Sequence, residues 1–118
     1  MTEAVKPTPL DSMEALERAV SRSSERPQLL FKHSIHCGLS GMAMSEFESH
    51  LKQPAPDVDY WLLTVQTART VSNEVETRLG IRHETPQAIL VRDGRAVWNA
   101  SHRGITTRSL AEATAAAT

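Results

Sequence analysis

The chain has 118 residues, of which 40% are hydrophobic and 23% charged, and its formal net charge is −1. This length and composition suit one ordinary globular domain. A near balance of 13 basic and 14 acidic residues argues against a nucleic-acid partner, because such proteins carry a basic excess. No apolar run approaches the ~18 residues needed to span a bilayer, and residues 1–10 lack the apolar stretch of a signal peptide, so we expect no membrane partner.

The first half of the chain predicts a tail followed by three elements. Residues 1–10 are polar and contain Pro7 and Pro9, which predicts a flexible tail, with residues 11–118 forming a single domain. Asp11 and Glu14 resemble a capping box, and apolar spacing predicts a helix over residues 12–22. A short apolar run predicts a buried strand at 28–32. Helical periodicity then predicts a second helix over 38–51.

The second half predicts a strand, a helix, a hairpin and a last helix. The expected elements are a strand at 60–65, a helix at 70–79 ended by Gly80, strands at 88–91 and 95–101, and a helix from Thr106 to about residue 115. Asp93-Gly94 is a strong hairpin signal between the last two strands. This order predicts an α/β fold: a four-stranded mixed sheet with helices on both faces. It is the layout of a thioredoxin-like fold with one extra N-terminal helix.

Cys37 is the only cysteine, so an internal disulfide is impossible and we expect the reducing cytoplasm as its location. It lies where the first predicted strand gives way to the long helix. The N–H groups and dipole of a helix N-terminus favour a thiolate, and Lys32, His33 and His36 are expected to add positive charge nearby. A small buried hydrophobic residue is the alternative interpretation of a lone cysteine.

Cys37-Gly-Leu-Ser40 is a C-x-x-S arrangement with a hydroxyl in place of a second thiol. Ser40 cannot form a disulfide, although it can donate a hydrogen bond to a thiolate. Such a site can accept a mixed disulfide, but a thiol from outside the chain must resolve it. The sequence therefore favours Cys37 as the nucleophile and Ser40 as its catalytic neighbour.

A metal site is a weaker interpretation of the same segment. His33, His36 and Cys37, completed by His83 or His102, lack the ligand spacing of structural zinc sites. We therefore predict no metal and no bound cofactor.

Three segments together resemble a known family. Phe31-Lys-His-Ser-Ile-His-Cys-Gly-Leu-Ser40 resembles the active-site segment of the YtxJ-like proteins, the monothiol bacilliredoxins of the bacillithiol system. Leu79-Gly-Ile-Arg-His-Glu-Thr-Pro-Gln-Ala-Ile-Leu90 resembles a later segment of that family, as does Ala96-Val-Trp-Asn-Ala-Ser-His102 with Ile105-Thr106. The resemblance covers roughly residues 12–112 in the same order.

This resemblance implies a thioredoxin-like fold and the removal of bacillithiol, or an equivalent small thiol, from protein mixed disulfides. Cys37 corresponds to the nucleophile, and Thr85-Pro86 to the cis-proline loop that faces it and binds the substrate backbone. His36 and Gly38, which flank Cys37, are assigned to substrate binding as well. Gly38 departs from the family, which usually has a proline directly after its cysteine.

The implied partners are S-thiolated client proteins, the small thiol as co-substrate, and the reductase of its disulfide. A second class of function stays open at this point. A non-catalytic thioredoxin-fold adaptor, or a redox sensor in a stress response, would be modified once per chain, whereas an enzyme would turn over.

Overall fold

The computed structural model describes residues 4–35 and 38–118 of the chain. The elements are β1 (Thr8–Pro9), α1 (Met13–Arg22), β2 (Gln28–His33), α2 (Gly38–Leu51), β3 (Asp59–Thr64), α3 (Arg69–Leu79), β4 (Gln87–Arg92), β5 (Arg95–Ser101) and α4 (Thr107–Ala117). A single 3-10 turn, His102–Gly104, connects β5 to α4. The helices and strands predicted from the sequence are present, with bounds that differ by at most two residues.

The strands form one mixed sheet in the order β1-β3-β2-β4-β5. β2 and β3 are parallel and are connected through α2, whereas β2 pairs with β4, and β4 with β5, in antiparallel fashion. Asp93 and Gly94 both have positive φ, 52° and 75°, as a tight hairpin turn between β4 and β5 requires. The α/β architecture predicted from the element order is confirmed.

The sheet has five strands rather than the predicted four, because part of the expected tail belongs to it. Thr8 and Pro9 pair in parallel with Trp61 and Leu62 of β3. Leu10 is fully buried, and its N–H donates to the carbonyl of Leu62. A two-residue strand is too short to show alternation, and a proline is tolerated there because β1 is an edge strand.

The start of α1 also differs in detail from the expected capping box. Ser12 is the N-cap, with extended backbone, and its side chain accepts a hydrogen bond from the N–H of Ala15. Asp11 and Ser12 are both residue types that cap helices well, so the path of the chain out of β1 decides between them.

Two apolar clusters pack on the opposite faces of the sheet. One contains residues of α1 and α3 with Leu30 of β2, and the other contains residues of α2 and α4 with Phe31. Phe31 stacks on Phe47 of α2 with ring centroids 4.5 Å apart. Because side chains alternate along a strand, the residue after Phe31 lies on the face covered by α3. Within residues 4–35 and 38–118, no helix combines the length and apolar character needed to cross a membrane.

Candidate active site

The expected active-site segment lies between the end of β2 at His33 and the start of α2 at Gly38. In sequence, Cys37 directly precedes the first residue of this 14-residue helix. His36 and Cys37 lie outside the described residues, so the predicted positions of both side chains stay predictions. The residues on either side show how the segment is held.

Ser40 braces the segment from inside α2. Its side chain is fully buried, and its hydroxyl oxygen accepts a hydrogen bond from the N–H of Ser34 at 3.1 Å. The sequence suggested Ser40 only as a donor to the thiolate. The structure gives its oxygen a second role, since a hydroxyl can accept and donate at once.

Gln66, in the connection from β3 to α3, braces the same segment from the other side. Its amide nitrogen donates to the hydroxyl of Ser34 at 2.8 Å, and its amide oxygen accepts from the N–H of Ile35 at 3.2 Å. Nothing in the sequence around Gln66 indicates this role, because the partners are about thirty residues apart.

Thr85 and Pro86 lie immediately before β4, and the peptide bond between them is cis. Pro86 is buried, and its carbonyl accepts a hydrogen bond from the N–H of His102 at 3.0 Å. Gln87, almost fully buried, donates from its side chain to the carbonyl of Arg82 at 2.9 Å and accepts from the N–H of Glu84 at 3.4 Å. The segment around the cis bond is therefore held from β4 and from the 3-10 turn.

Lys32 and His33 of β2 are expected from the sequence to add positive charge near the thiol, and their surroundings differ from that expectation. The ammonium group of Lys32 lies against α3, where it donates to the carbonyl of Ser72 at 3.2 Å and contacts His83. Burial lowers the pKa of His33 despite the opposing effect of Glu48, so this imidazole is neutral at pH 7. A neutral His33 supplies no positive charge, and alternation along β2 places Lys32 on the α3 face. The effect of Lys32 on the thiol stays a prediction, because Cys37 lies outside the described residues.

A surface cavity of about 270 Å³ lies between α2 and the connection from β5 to α4. It is lined by Met42, Ala43 and Glu46 of α2 and by residues of the 3-10 turn and the start of α4. His102 lines this cavity, and its Nε2 lies 3.8 Å from a carboxylate oxygen of Glu84. In the part of the chain that the structure describes, no three His, Cys, Asp or Glu residues are grouped closely enough to hold a metal ion.

Solved structures with the same architecture are thioredoxin-fold proteins. A thioredoxin-fold protein with a proposed oxidoreductase activity is 31% identical to this chain, with a TM-score of 0.79 over 91% of this chain and 92% of that one. Malassezia sympodialis thioredoxin has a TM-score of 0.79 at 17% identity, over 99% of this chain and 95% of its own. Fasciola hepatica thioredoxin has a TM-score of 0.75 at 17% identity, over 94% and 99% respectively. This protein therefore has a thioredoxin fold and is oxidoreductase-like.

The family model of the monothiol bacilliredoxin BrxC matches residues 8–110. This match spans most of the chain, and the chain belongs to the monothiol bacilliredoxin family. The resemblance noted in the sequence is thereby confirmed, and it connects the protein with the bacillithiol system.

Proposed function

We propose that this protein removes a low-molecular-weight thiol, bacillithiol or an equivalent, from protein mixed disulfides through Cys37. The observation that carries the proposal is the family match of a chain whose only cysteine directly precedes the first residue of α2. Because a single-cysteine chain cannot hold a disulfide of its own, the proposed reaction proceeds through a mixed disulfide.

The first step is thiol–disulfide exchange. The thiolate of Cys37 attacks the sulfur of the small thiol in the client's mixed disulfide, and the client's cysteine leaves as a thiolate that takes up a proton. The S–S bond of the client breaks as a new S–S bond forms between Cys37 and the small thiol. The client is reduced, and Cys37 is oxidised to the mixed disulfide.

The second step needs a thiol from outside the chain, because Ser40 stands where a resolving cysteine would be. A second molecule of the small thiol attacks the adduct, and the thiolate of Cys37 is regenerated. The product is the symmetric disulfide of the small thiol, which a separate reductase returns to the thiol. We propose that the protein works in the reducing cytoplasm, where such a pool is available.

The described residues support this chemistry in two ways. The first turn of α2 contains no acidic residue, so the positive end of its dipole is not offset by a side chain there. Such a helix start lowers the pKa of a neighbouring thiol and raises the thiolate fraction at neutral pH. We propose that Ser40 assists by donating its hydroxyl proton toward the sulfur while its oxygen stays bonded to the N–H of Ser34.

The binding of the client is proposed to use the cis-proline segment. An extended chain can pair with an exposed backbone edge, and Thr85 offers its backbone directly before buried Pro86. His36 and Gly38 are proposed to contact the substrate from the other side of the sulfur. No metal or resident cofactor takes part in this scheme.

The test is intact mass spectrometry of the protein mixed with a bacillithiolated model client. We expect the mass of one bacillithiol on the wild-type chain, an equal loss from the client, and release of the adduct when free bacillithiol is added. Cys37→Ser should form no adduct. In a separate alkylation assay of the wild-type chain, the pKa of the Cys37 thiol should lie below the ordinary pKa of a thiol. An ordinary thiol pKa together with no adduct would contradict the proposal and favour the non-catalytic adaptor. A single modification of Cys37 per chain, without release of the adduct, would favour the redox sensor.

A further inference from the structure

Lys32 is a fully buried lysine in the central strand of the sheet, on the face covered by α3. Its Nζ donates to the carbonyl of Ser72 at 3.2 Å and lies 3.1 Å from Nδ1 of His83. A lysine is almost never fully buried unless it is paired, so this arrangement calls for an explanation. The reaction proposed above makes no use of the ammonium group.

The 3.1 Å contact between Nζ of Lys32 and Nδ1 of His83 fits a charged lysine beside a neutral imidazole. An ammonium can only donate, so Nδ1 of His83 must accept, and the imidazole is neutral with its proton on Nε2. Burial lowers the pKa of Lys32 to about 8, with Glu76 opposing the shift. Burial and the charge of Lys32 lower the pKa of His83, so both groups hold these states at pH 7.

His83 is also fastened to α3 through its backbone. Its N–H donates to a carboxylate oxygen of Glu76 at 2.7 Å, and the hydroxyl of Ser72 lies 3.4 Å from Nδ1. Two residues further along the chain is Thr85, whose backbone is proposed to pair with the client. The ammonium of Lys32 therefore ties β2 and α3 to the chain directly before the cis bond.

We propose that Lys32 is a positioning residue, which acts through His83 to hold residues 82–86 in the conformation that receives an extended client chain. The inference deepens the proposed function, because it names what orients its client-binding segment. Neither side chain touches the reacting sulfur atoms in this scheme. The loss of Lys32 should therefore affect client binding more than the exchange of sulfur.

The direct test is amide hydrogen exchange of the whole chain, followed by mass spectrometry, which needs no activity. We expect exchange at the amides of residues 82–85 to rise about tenfold in Lys32→Met and in His83→Ala, since Pro86 has no N–H. His83→Asn should restore the wild-type rate, because an Asn amide oxygen can accept in place of Nδ1. Lys52→Met, which removes an exposed lysine near the end of α2, is the matched control and should leave the rate unchanged.

A kinetic readout separates positioning from general stability. With a thiolated client, we expect Lys32→Met and His83→Ala to raise KM roughly tenfold and to change kcat less than about twofold. Alkylation of Cys37 by a small reagent, which needs no client-binding segment, should keep its wild-type pH profile. If Lys32→Met does not fold, the pair His83→Ala and His83→Asn decides the question alone.

The inference is overturned if exchange at residues 82–85 stays at the wild-type rate, or if it rises only by the factor seen for the amides of β4. If the wild-type chain removes no thiol from the client, the proposed function fails, while the exchange data still decide whether Lys32 positions the segment.

Discussion

The backbone N–H of Ser34 donates a hydrogen bond to the buried hydroxyl of Ser40, across the stretch of chain whose middle residue is the only cysteine. The bond joins the chain just beyond β2 to the first turn of α2. Gln66 holds Ser34 and Ile35 from the opposite side. Ser34 and Ile35 are thus held by polar contacts that do not involve the cysteine itself.

Ser40→Ala should lower the free energy of unfolding by about 1–2 kcal/mol, because it removes the acceptor for the N–H of Ser34. The first exchange step should continue, since the thiolate of Cys37 is retained. Chemical denaturation and adduct formation measured side by side check both statements. Ser45→Ala, which removes an exposed hydroxyl bonded within α2, is the control and should change stability by less than about 0.5 kcal/mol. Loss of the adduct in Ser40→Ala at wild-type stability would show that the first step requires the hydroxyl, rather than being only assisted by it.

Gln66→Leu should slow adduct formation roughly tenfold, because it frees the N–H of Ile35 and the hydroxyl of Ser34 and so loosens the geometry before Cys37. Gln66→Glu keeps an acceptor for the N–H and should slow the reaction less. Thr67→Ala removes a neighbouring exposed hydroxyl that donates to the carbonyl of Thr64 within the same connection, and it serves as the control. Stopped-flow rates with a thiolated client make the comparison; equal rates for Gln66→Leu and wild type would refute the bracing role.

Gly38→Pro should stabilise the protein by about 0.4–1 kcal/mol and keep or improve activity. Proline is favoured at the first position of a helix, and it lowers the conformational entropy that the unfolded chain loses on folding. Among the described residues, a Cβ at Gly38 would meet no atom within 4 Å, apart from its chain neighbours and the adjacent backbone of α2. Gly41→Ala, equally open in α2, should give a similar gain in stability without altering the residue next to Cys37. Thermal unfolding and turnover of the two variants distinguish helix stability from the shape of the turn. A drop in stability for Gly38→Pro would contradict this prediction.

The burial of Lys32 predicts a dependence of stability on pH. The pKa of Lys32 is lowered from 10.5 to about 8 in the folded chain, so between these values the unfolded chain binds more protons and the free energy of unfolding rises with pH. Below pH 8 both states are protonated, and the cost of burying the ammonium is present in full. Between pH 7.5 and 9.5, the free energy of unfolding of wild type should rise by about 1–2 kcal/mol relative to Lys32→Met.

Urea denaturation at several pH values measures this difference. Burial raises the pKa of Tyr60, which also titrates in alkaline solution, but Tyr60 is present in both proteins and its effect cancels. Lys52→Met should follow the wild-type curve throughout. A constant difference between wild type and Lys32→Met across this range would mean that Lys32 keeps its ordinary pKa when folded.

The elements of the fold could be predicted from the sequence because their signals are local. The apolar spacing along α2, the turn residues Asp93 and Gly94, and the stop at Gly80 depend on neighbours a few positions away. The edge strand at Thr8 and Pro9 could not be predicted, because two residues carry no periodicity and only pairing with β3 makes them a strand. Likewise, the path of the chain rather than residue type decided that Ser12 caps α1.

At the candidate site, the sequence alone determined that one thiol is available, that Ser40 follows it at the resolving position, and that Cys37 directly precedes a helix. Tertiary structure decided which groups hold that segment: Gln66 for Ser34 and His83 for Lys32 are partners 32 and 51 positions apart. Alternation along β2 assigns Lys32 to one face of the sheet, but it does not say what lies there. A buried polar group must find a hydrogen-bond partner, and here folding supplies that partner from a distant element, which no local pattern in the sequence can show.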